Sequence, residues 1–215
     1  MKNVRQEFWT WIQILTVVVV WIVVLLITKT ELKINVEALR TLPEVVFIYT
    51  ILYQIFKRWG WRSPFLQGWL VPFPDLQGTW QGTLQTTWKD PNTGETPPPI
   101  PMILVIKQSF ESISCVLHTK ESASYSNAAS LTEDDSSGIK KISYNYTNTP
   151  KVMVRDRSAV HNGAAILIIG SKPKRFLEGE YWTNRKTTGS MSLFFQSREL
   201  AESFVSVGPN NEVEA

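Results

Sequence analysis

The sequence contains few of the residues on which enzymes commonly depend. Its 215 residues include one cysteine, Cys115, and two histidines, His118 and His161. One cysteine excludes a disulfide within the chain, and neither histidine stands in a metal-ligand spacing or beside a nucleophile motif. Cys115 shares one strand face with Ile113 and Leu117, which predicts that it is a small buried side chain. We therefore predict a protein that is not an enzyme and that has no cofactor and no metal ion.

The residues after Pro74 are nearly neutral in net charge. They contain 14 Lys and Arg against 15 Asp and Glu, whereas residues 1–74 contain 8 and 4. This balance argues against a nucleic-acid polymer as partner. The charges are nevertheless uneven, because residues 75–139 hold 3 bases and 8 acids and residues 140–186 hold 10 and 3. One interpretation is a solvated basic face near an anionic leaflet, and the other is a small phosphate-bearing ligand drawn to the cationic half.

Two hydrophobic segments occupy the first 62 residues. Residues 8–27 include no charge and match the length that spans a bilayer, whereas residues 42–57 are shorter and contain Glu44 and Gln54. The first segment is longer than the apolar core of a signal peptide, and no small-residue cleavage pattern follows it. We predict a transmembrane hairpin of two spans. Gln13, Glu44 and Gln54 would bond either between the two spans or between chains.

Basic residues set the predicted orientation. Lys2, Arg5, Lys57, Arg58 and Arg62 outnumber the three basic residues of the loop between the segments. This excess favours both chain ends on the cytoplasmic side of a bacterial inner membrane.

The sequence after the hairpin predicts an all-β domain. Residues 63–74 form an interfacial linker, residues 75–197 form the domain, and residues 198–215 form a tail that is disordered from 208. Short alternating segments without sustained helical periodicity predict eight strands at 78–88, 102–108, 112–119, 123–131, 139–147, 164–171, 175–184 and 189–197. Such strands predict an up-and-down, lipocalin-like barrel wide enough for one small ligand.

Alternation also predicts which side chains face the lumen. Tyr144 and Tyr146 share one parity on the fifth strand, and Tyr181, Thr183 and Arg185 share one on the seventh. Glu178 and Glu180 have the opposite parity and are predicted to point outward. Trp80 is predicted to close the barrel floor, and Tyr181 is either ordinary core or a stacking platform. Lys186 is interpreted as a solvated turn residue.

Four segments together resemble a known family. They are the hairpin, residues 75–82 (DLQGTWQG), residues 161–165 (HNGAA), and residues 177–185 (LEGEYWTNR) followed by Gly189. They are similar to the two-transmembrane β-barrel effectors of cyclic-oligonucleotide-based antiphage signalling systems (CBASS), which are associated with bacterial cyclic-nucleotide-synthesising enzymes. The resemblance covers residues 9 to about 196.

The resemblance implies a membrane effector whose cytoplasmic barrel binds a cyclic dinucleotide made by a cognate nucleotidyltransferase. Binding would cause self-association into oligomers, disruption of the inner membrane and abortive infection. Aromatic planes for bases and cationic donors for phosphates suggest seven ligand-binding candidates: Thr119, Tyr144, Tyr146, His161, Tyr181, Thr183 and Arg185.

Two other functions fit part of the sequence. A membrane-tethered lipid or fatty-acid carrier could use the same barrel, but it should turn mostly Leu, Ile and Phe inward. A small channel subunit without a ligand would leave the basic half unexplained.

Overall fold

The computed structural model describes residues 6–134 and 136–204, with the backbone alone for residues 6 and 7. These residues form two compact units. One contains residues 6–74 together with Ser109–Glu111, and the other contains Asp75–Gln108 and the described residues from 112 onward. The predicted disordered tail at 208–215 lies outside the described residues.

The first unit contains two antiparallel helices joined through a short one. They are α1 (Gln6–Ile27), α2 (Val36–Arg40) and α3 (Leu42–Arg58). Near the start of α1, the Gln13 side chain donates a hydrogen bond to Tyr49 Oη at 3.1 Å. Near its end, Trp21 Nε1 donates to Thr41 Oγ1, at the start of α3, at 3.1 Å. Gln13 therefore bonds between the two helices, which is the first of the two alternatives for the polar residues.

Among the described residues, α1 is the helix long and apolar enough to cross a membrane. Its segment Phe8–Ile27 has a mean hydropathy of 2.7, and most of its side chains are exposed. By contrast, α3 has 17 residues and includes Glu44 in its first turn, so it is shorter than the ~20 residues of a standard span. The structure thus agrees with the first predicted span, and the second stays a prediction.

The second unit is a closed antiparallel barrel of eight strands, which confirms the predicted barrel. Each strand pairs with its neighbours in sequence, and β1 also pairs with β8. The strands are β1 (Gly78–Thr86), β2 (Ile100–Gln108), β3 (Ile113–Thr119), β4 (Ser122–Glu133), β5 (Lys140–Pro150), β6 (His161–Gly170), β7 (Phe176–Thr183) and β8 (Thr188–Ser197).

The largest differences from the predicted boundaries lie in β5 and β6, each of which is three residues longer at one end. Asn162-Gly163 has the composition of a turn, but Gly163 lies in the ladder opposite Tyr146, and His161 lies opposite Asn148. The pairing of β5 with β6 outweighs the local turn preference, because each added pair satisfies further backbone groups.

One end of the barrel is closed by Trp80, as predicted. Its side chain is fully buried, and its Nε1 donates a hydrogen bond to the Leu76 carbonyl at 2.9 Å. The Arg175 guanidinium lies 5.2 Å from the centre of the Trp80 ring and 4.3 Å from that of Phe195. These cation–π contacts place a charged group over the aromatic residues of the closed end.

Candidate functional site

The two ends of the barrel differ in the side chains that line them. Up-and-down topology places the connections at residues 87–99, 120–121, 151–160 and 184–187 at one end, which we call the mouth. The opposite end, which contains Trp80 and the connection at 171–175, is the floor. The floor half is lined by apolar side chains with no exposed surface: Leu104, Ile106, Ile142, Leu167, Leu177 and Leu193.

The inward-facing residues of the mouth half are mostly polar or aromatic. They are Thr119, Ser122, Ser124, Tyr146, Asn148, His161, Tyr181 and Thr183. Their strand parity is the same as that of the apolar floor residues, so the barrel interior changes from apolar to polar along its axis. The floor half is a packed apolar core. We call the mouth half, with its polar and aromatic lining, the polar cup.

Each of two mouth tyrosines lies against a glycine on the next strand. Tyr146 is in register with Gly163, and a Cβ built on Gly163 would lie 2.5 Å from both Cζ and Oη of Tyr146. Tyr181 is in register with Gly189, where a Cβ would lie 2.5 Å from Cε1 of Tyr181. The glycines therefore make room for the phenol ends of both rings to lie along the barrel wall.

Burial makes both phenols harder to ionise. Desolvation raises the pKa of Tyr146 to about 12 and also raises the pKa of Tyr181, although the charge of Arg185 opposes both shifts. Both hydroxyls are consequently neutral at physiological pH, when each can donate as well as accept a hydrogen bond.

Tyr144 lies one inward position closer to the floor than Tyr146. The two ring centroids are 5.9 Å apart, and the Tyr144 side chain is buried. Among the described residues, its hydroxyl has no hydrogen-bond partner. Desolvation raises its pKa well above the usual value. A buried unpaired hydroxyl destabilises a fold by about 1–3 kcal/mol, so this group calls for a functional or solvent-mediated explanation.

Arg185 and His161 add nitrogen donors to the mouth. Arg185 lies in the turn between β7 and β8, is exposed, and its Nη1 donates to Ser158 Oγ at 3.4 Å. His161 Nδ1 lies 3.0 Å from the Ala159 carbonyl. Burial lowers the pKa of His161, and the nearby Arg185 charge lowers it further.

The parity predicted for Arg185 does not apply, since β7 ends at Thr183 and Arg185 lies in the turn that follows. Lys186 lies in the same turn, is exposed, and has a positive φ of 63°. These properties agree with its interpretation as a solvated turn residue.

The two predicted threonines take part in turns. Thr183 Oγ1 accepts hydrogen bonds from the backbone of Arg185 and Thr187, at 3.2 and 3.3 Å. Thr119 Oγ1 accepts from the backbone of Ser122 at 3.1 Å in the β3–β4 connection. Both hydroxyls line the mouth, but their bonds in the structure stabilise its turns.

A polar cluster on the mouth wall was not predicted from the sequence. Asn148 Nδ2 donates to Ser122 Oγ at 3.0 Å and to Ser124 Oγ at 2.8 Å. Asn148 follows Tyr144 and Tyr146 with the same parity, and this alternation could have identified it. It was not predicted because the predicted fifth strand ended at residue 147, directly before Asn148.

The cationic half of the sequence is divided between the two ends of the barrel. Lys151, Arg155, Arg157, Arg185 and Lys186 belong to connections at the mouth, whereas Lys140, Lys141, Lys172, Lys174 and Arg175 lie near the floor. Arg157 pairs with Glu121, and Arg155 Nε donates to the Pro150 carbonyl at 3.2 Å. The mouth is therefore basic through a subset of the residues that the charge pattern suggested.

The described residues contain no group of three or more His, Cys, Asp or Glu that could hold a metal ion. Cys115 is buried, and desolvation raises the pKa of its thiol. A buried thiol of raised pKa is a poor nucleophile.

The fold and the mouth together define a small β-barrel of the ligand-receptor type, with a packed floor and a polar cup. Residues 71–194 match the family model described as Cap15, cyclic dinucleotide receptor domain, and the chain belongs to that family. This confirms the resemblance to CBASS effectors. A CD-NTase-associated protein 15 from Staphylococcus schleiferi is 27% identical over 119 residues, which cover 55% of this chain and 59% of that protein.

Proposed function

We propose that the barrel mouth binds a cyclic dinucleotide whose bases stack on Tyr146 and Tyr181 and whose phosphates lie beside Arg185. The pairing of both tyrosines with glycines carries this proposal, because it sets two aromatic rings along the wall of a polar cup. Stacking of a base on an aromatic ring contributes about 1–3 kcal/mol. A guanidinium adds charge-assisted hydrogen bonds to phosphate oxygens. The family description supports this ligand class.

The remaining mouth residues have separate roles in this proposal. His161 is a second nitrogen donor toward a phosphate, and Asn148 contacts a base edge or ribose. Thr119 and Thr183 shape the rim, since their hydroxyls already bond within turns. Tyr144 offers its unpaired hydroxyl to the deepest part of the ligand. The chain itself is a receptor rather than an enzyme.

We further propose that α1 and α3 both cross the bacterial inner membrane and that the barrel lies in the cytoplasm. The antiparallel contacts from Gln13 to Tyr49 and from Trp21 to Thr41 support a hairpin. Basic residues in the last turn of α3 support a cytoplasmic position for its end. A span of 17 residues suits a locally thinned bilayer or snorkelling flanking residues.

Membrane disruption then requires several chains. Two helices enclose no aqueous path, because backbone groups in lipid must be satisfied internally. A ligand that binds the associated form more tightly than the monomer shifts the equilibrium toward oligomers. Clustered hairpins breach the membrane, and the infected cell dies or stops growing before phage are released.

A tethered lipid carrier is the alternative function. An acyl chain needs an apolar tunnel, but the apolar half of this barrel is filled by side chains without exposed surface, such as Leu104 and Leu167. The polar cup above them is also a poor environment for hydrocarbon. These observations favour the nucleotide.

The test is co-expression in bacteria of the full chain with an active nucleotide cyclase, followed by dye entry into the cells. Permeabilisation should require both the cyclase and the hairpin. A full chain that permeabilises cells equally with an inactive cyclase would contradict ligand control. A chain without residues 1–74 that still permeabilises cells would contradict the role of the hairpin.

A further inference from the structure

The outer face of the barrel carries an apolar patch on β6 and β7. Ile166, Ile168 and Trp182 are each at least 40% exposed. They point outward because they alternate with the buried Leu167 and Tyr181. Large apolar side chains grouped on the outside of a closed barrel add nothing to its core, so their position suggests an interaction surface.

Opposite charges flank this patch in one row across the sheet. Ile168 lies between Lys141 on β5 and Glu178 on β7, with both neighbours in register. Neither Lys141 nor Glu178 forms an ion pair within the part of the chain that the structure describes. The row therefore has an apolar centre, a cation on one side and an anion on the other.

A hollow lies beside Trp182 on the same face. Its volume is about 260 Å³, and small side chains line much of it, among them Ala128, Ser130, Ser143 and Ala164. Asn145 lies two strands from Trp182 in the row that also contains Ala164. A protruding indole and a hollow are thus adjacent on one surface.

We propose that this outer face of β5, β6 and β7 is the surface through which two copies of the chain associate. A two-fold axis parallel to β6 places Ile168 against Ile168 of the second copy. The same axis sets Lys141 opposite Glu178 of the second copy, in two equivalent ion pairs. Trp182 then faces Asn145 and the adjoining hollow. The inference rests on the proposed self-association and identifies the surface that performs it.

The self-complementary charges select a second copy as the occupant. An isologous interface brings one patch onto itself, so residues on either side of the axis must match each other. Lys141 and Glu178 are equidistant in register from Ile168 and satisfy that requirement. An unrelated partner would need no such relation between the two flanks.

The first test uses a cysteine at the proposed axis. In full-length protein in detergent, Ile168→Cys should give a covalent dimer with a short bismaleimide cross-linker. The two new thiols would face each other across the axis, and face-to-face sheets lie about 10 Å apart, beyond the reach of a disulfide. Cys115 is buried and contributes little background. Lys107→Cys is the matched control, because Lys107 is exposed on the outer face of β2. Equal cross-linking of the two variants, or none at 168, would overturn the proposal.

The second test uses charge reversal. Lys141→Glu and Glu178→Lys should each weaken self-association about tenfold, because each variant sets like charges opposite each other twice. Mixing the two variants should restore association, since the carboxylate introduced at position 141 of one copy would then face the ammonium introduced at position 178 of the other, and the native Lys141 and Glu178 would form the second pair. Lys107→Glu should have no effect. A mixture that associates no better than either variant alone would overturn the assigned surface.

The ligand response is measured separately with cyclic di-AMP, cyclic di-GMP and cyclic GMP–AMP. If one nucleotide raises the oligomeric mass of wild type and of both charge variants equally, ligand-driven association stands and this surface is refuted. If none raises the mass of wild type but Ile168→Cys cross-links selectively, the surface stands without a ligand response.

Discussion

Tyr146 lies directly across the β5–β6 ladder from Gly163, and its phenol end occupies the space that a Cβ of Gly163 would take. The same relationship joins Tyr181 and Gly189 across the β7–β8 ladder. Two rings are thereby fixed on the wall of the mouth by residues that have no side chain. Gly163 and Gly189 are positioning residues for the proposed ligand site.

The Gly163→Ala variant should disturb both the fold and the site. Its new Cβ would lie 2.5 Å from Tyr146 Cζ and 2.7 Å from the Trp182 carbonyl oxygen. We expect a loss of about 1–3 kcal/mol in the free energy of unfolding, as for overpacked cores. Thermal denaturation measures this, and titration with the active cyclic dinucleotide measures the loss of affinity.

A double-mutant cycle identifies the cause of that loss. In a Tyr146→Leu background, Gly163→Ala should cost less than in wild type, because the phenol end is absent. Equal costs in the two backgrounds would attribute the effect to the Trp182 carbonyl.

The Tyr144→Phe variant should keep or gain stability while losing affinity. Its hydroxyl is buried without a partner among the described residues, so removing it relieves a desolvation penalty of about 1–3 kcal/mol. The same hydroxyl is available to a ligand that reaches this depth. Differential scanning calorimetry and ligand titration give the two quantities. A clear drop in Tm would mean that an ordered water already satisfies the hydroxyl.

The barrel could be predicted from the sequence because its signal is local. Alternation of side chains and turn composition identify the strands, and the parity of Tyr144, Tyr146 and Tyr181 gives their inward direction. The structure placed these tyrosines in the barrel interior as expected. Which of them contact a ligand stays a prediction.

The remaining features depend on pairing between strands, which one segment does not encode. The role of Gly163 requires knowing that it lies opposite Tyr146, and Asn148 meets Ser122 and Ser124 only through the β4–β5 ladder. Residues 140–186 likewise form one cationic stretch in the sequence. Alternate connections lie at opposite ends of an up-and-down barrel, so the same residues divide between mouth and floor.

The Arg185→Ala variant should weaken binding of a charged ligand without unfolding the barrel. Arg185 is exposed in a turn, so the change in stability should stay within about 0.5 kcal/mol. Loss of a charge-assisted hydrogen bond of about 1.5–3 kcal/mol corresponds to roughly 10- to 100-fold in affinity. Lys186→Ala is the matched control, since Lys186 is also exposed and cationic in this turn. Similar losses in the two variants would reduce the effect of Arg185 to general electrostatic attraction.

Ligand affinity should rise as the pH falls from 7.5 to 5.5. Burial lowers the pKa of His161 below its ordinary value of 6.5, so the imidazole of the free protein is neutral at pH 7.5. A phosphodiester keeps its negative charge over this range and stabilises the imidazolium, which raises the pKa of the bound form. If binding raises that pKa by about one unit, affinity should increase up to tenfold over the window.

Stability should change in the opposite direction over the same window. Because the folded pKa lies below the unfolded one, the unfolded chain takes up a proton first, and stability falls as the pH drops below 6.5. His118 has a pKa lowered by burial as well, so it contributes to this loss of stability without lining the mouth.

Two variants separate the effect of pH on affinity from its effect on stability. His161→Asn should abolish the pH dependence of affinity, whereas His118→Asn should preserve it. Calorimetric titrations at both pH values decide the matter: an unchanged pH dependence in His161→Asn would remove His161 from the phosphate site.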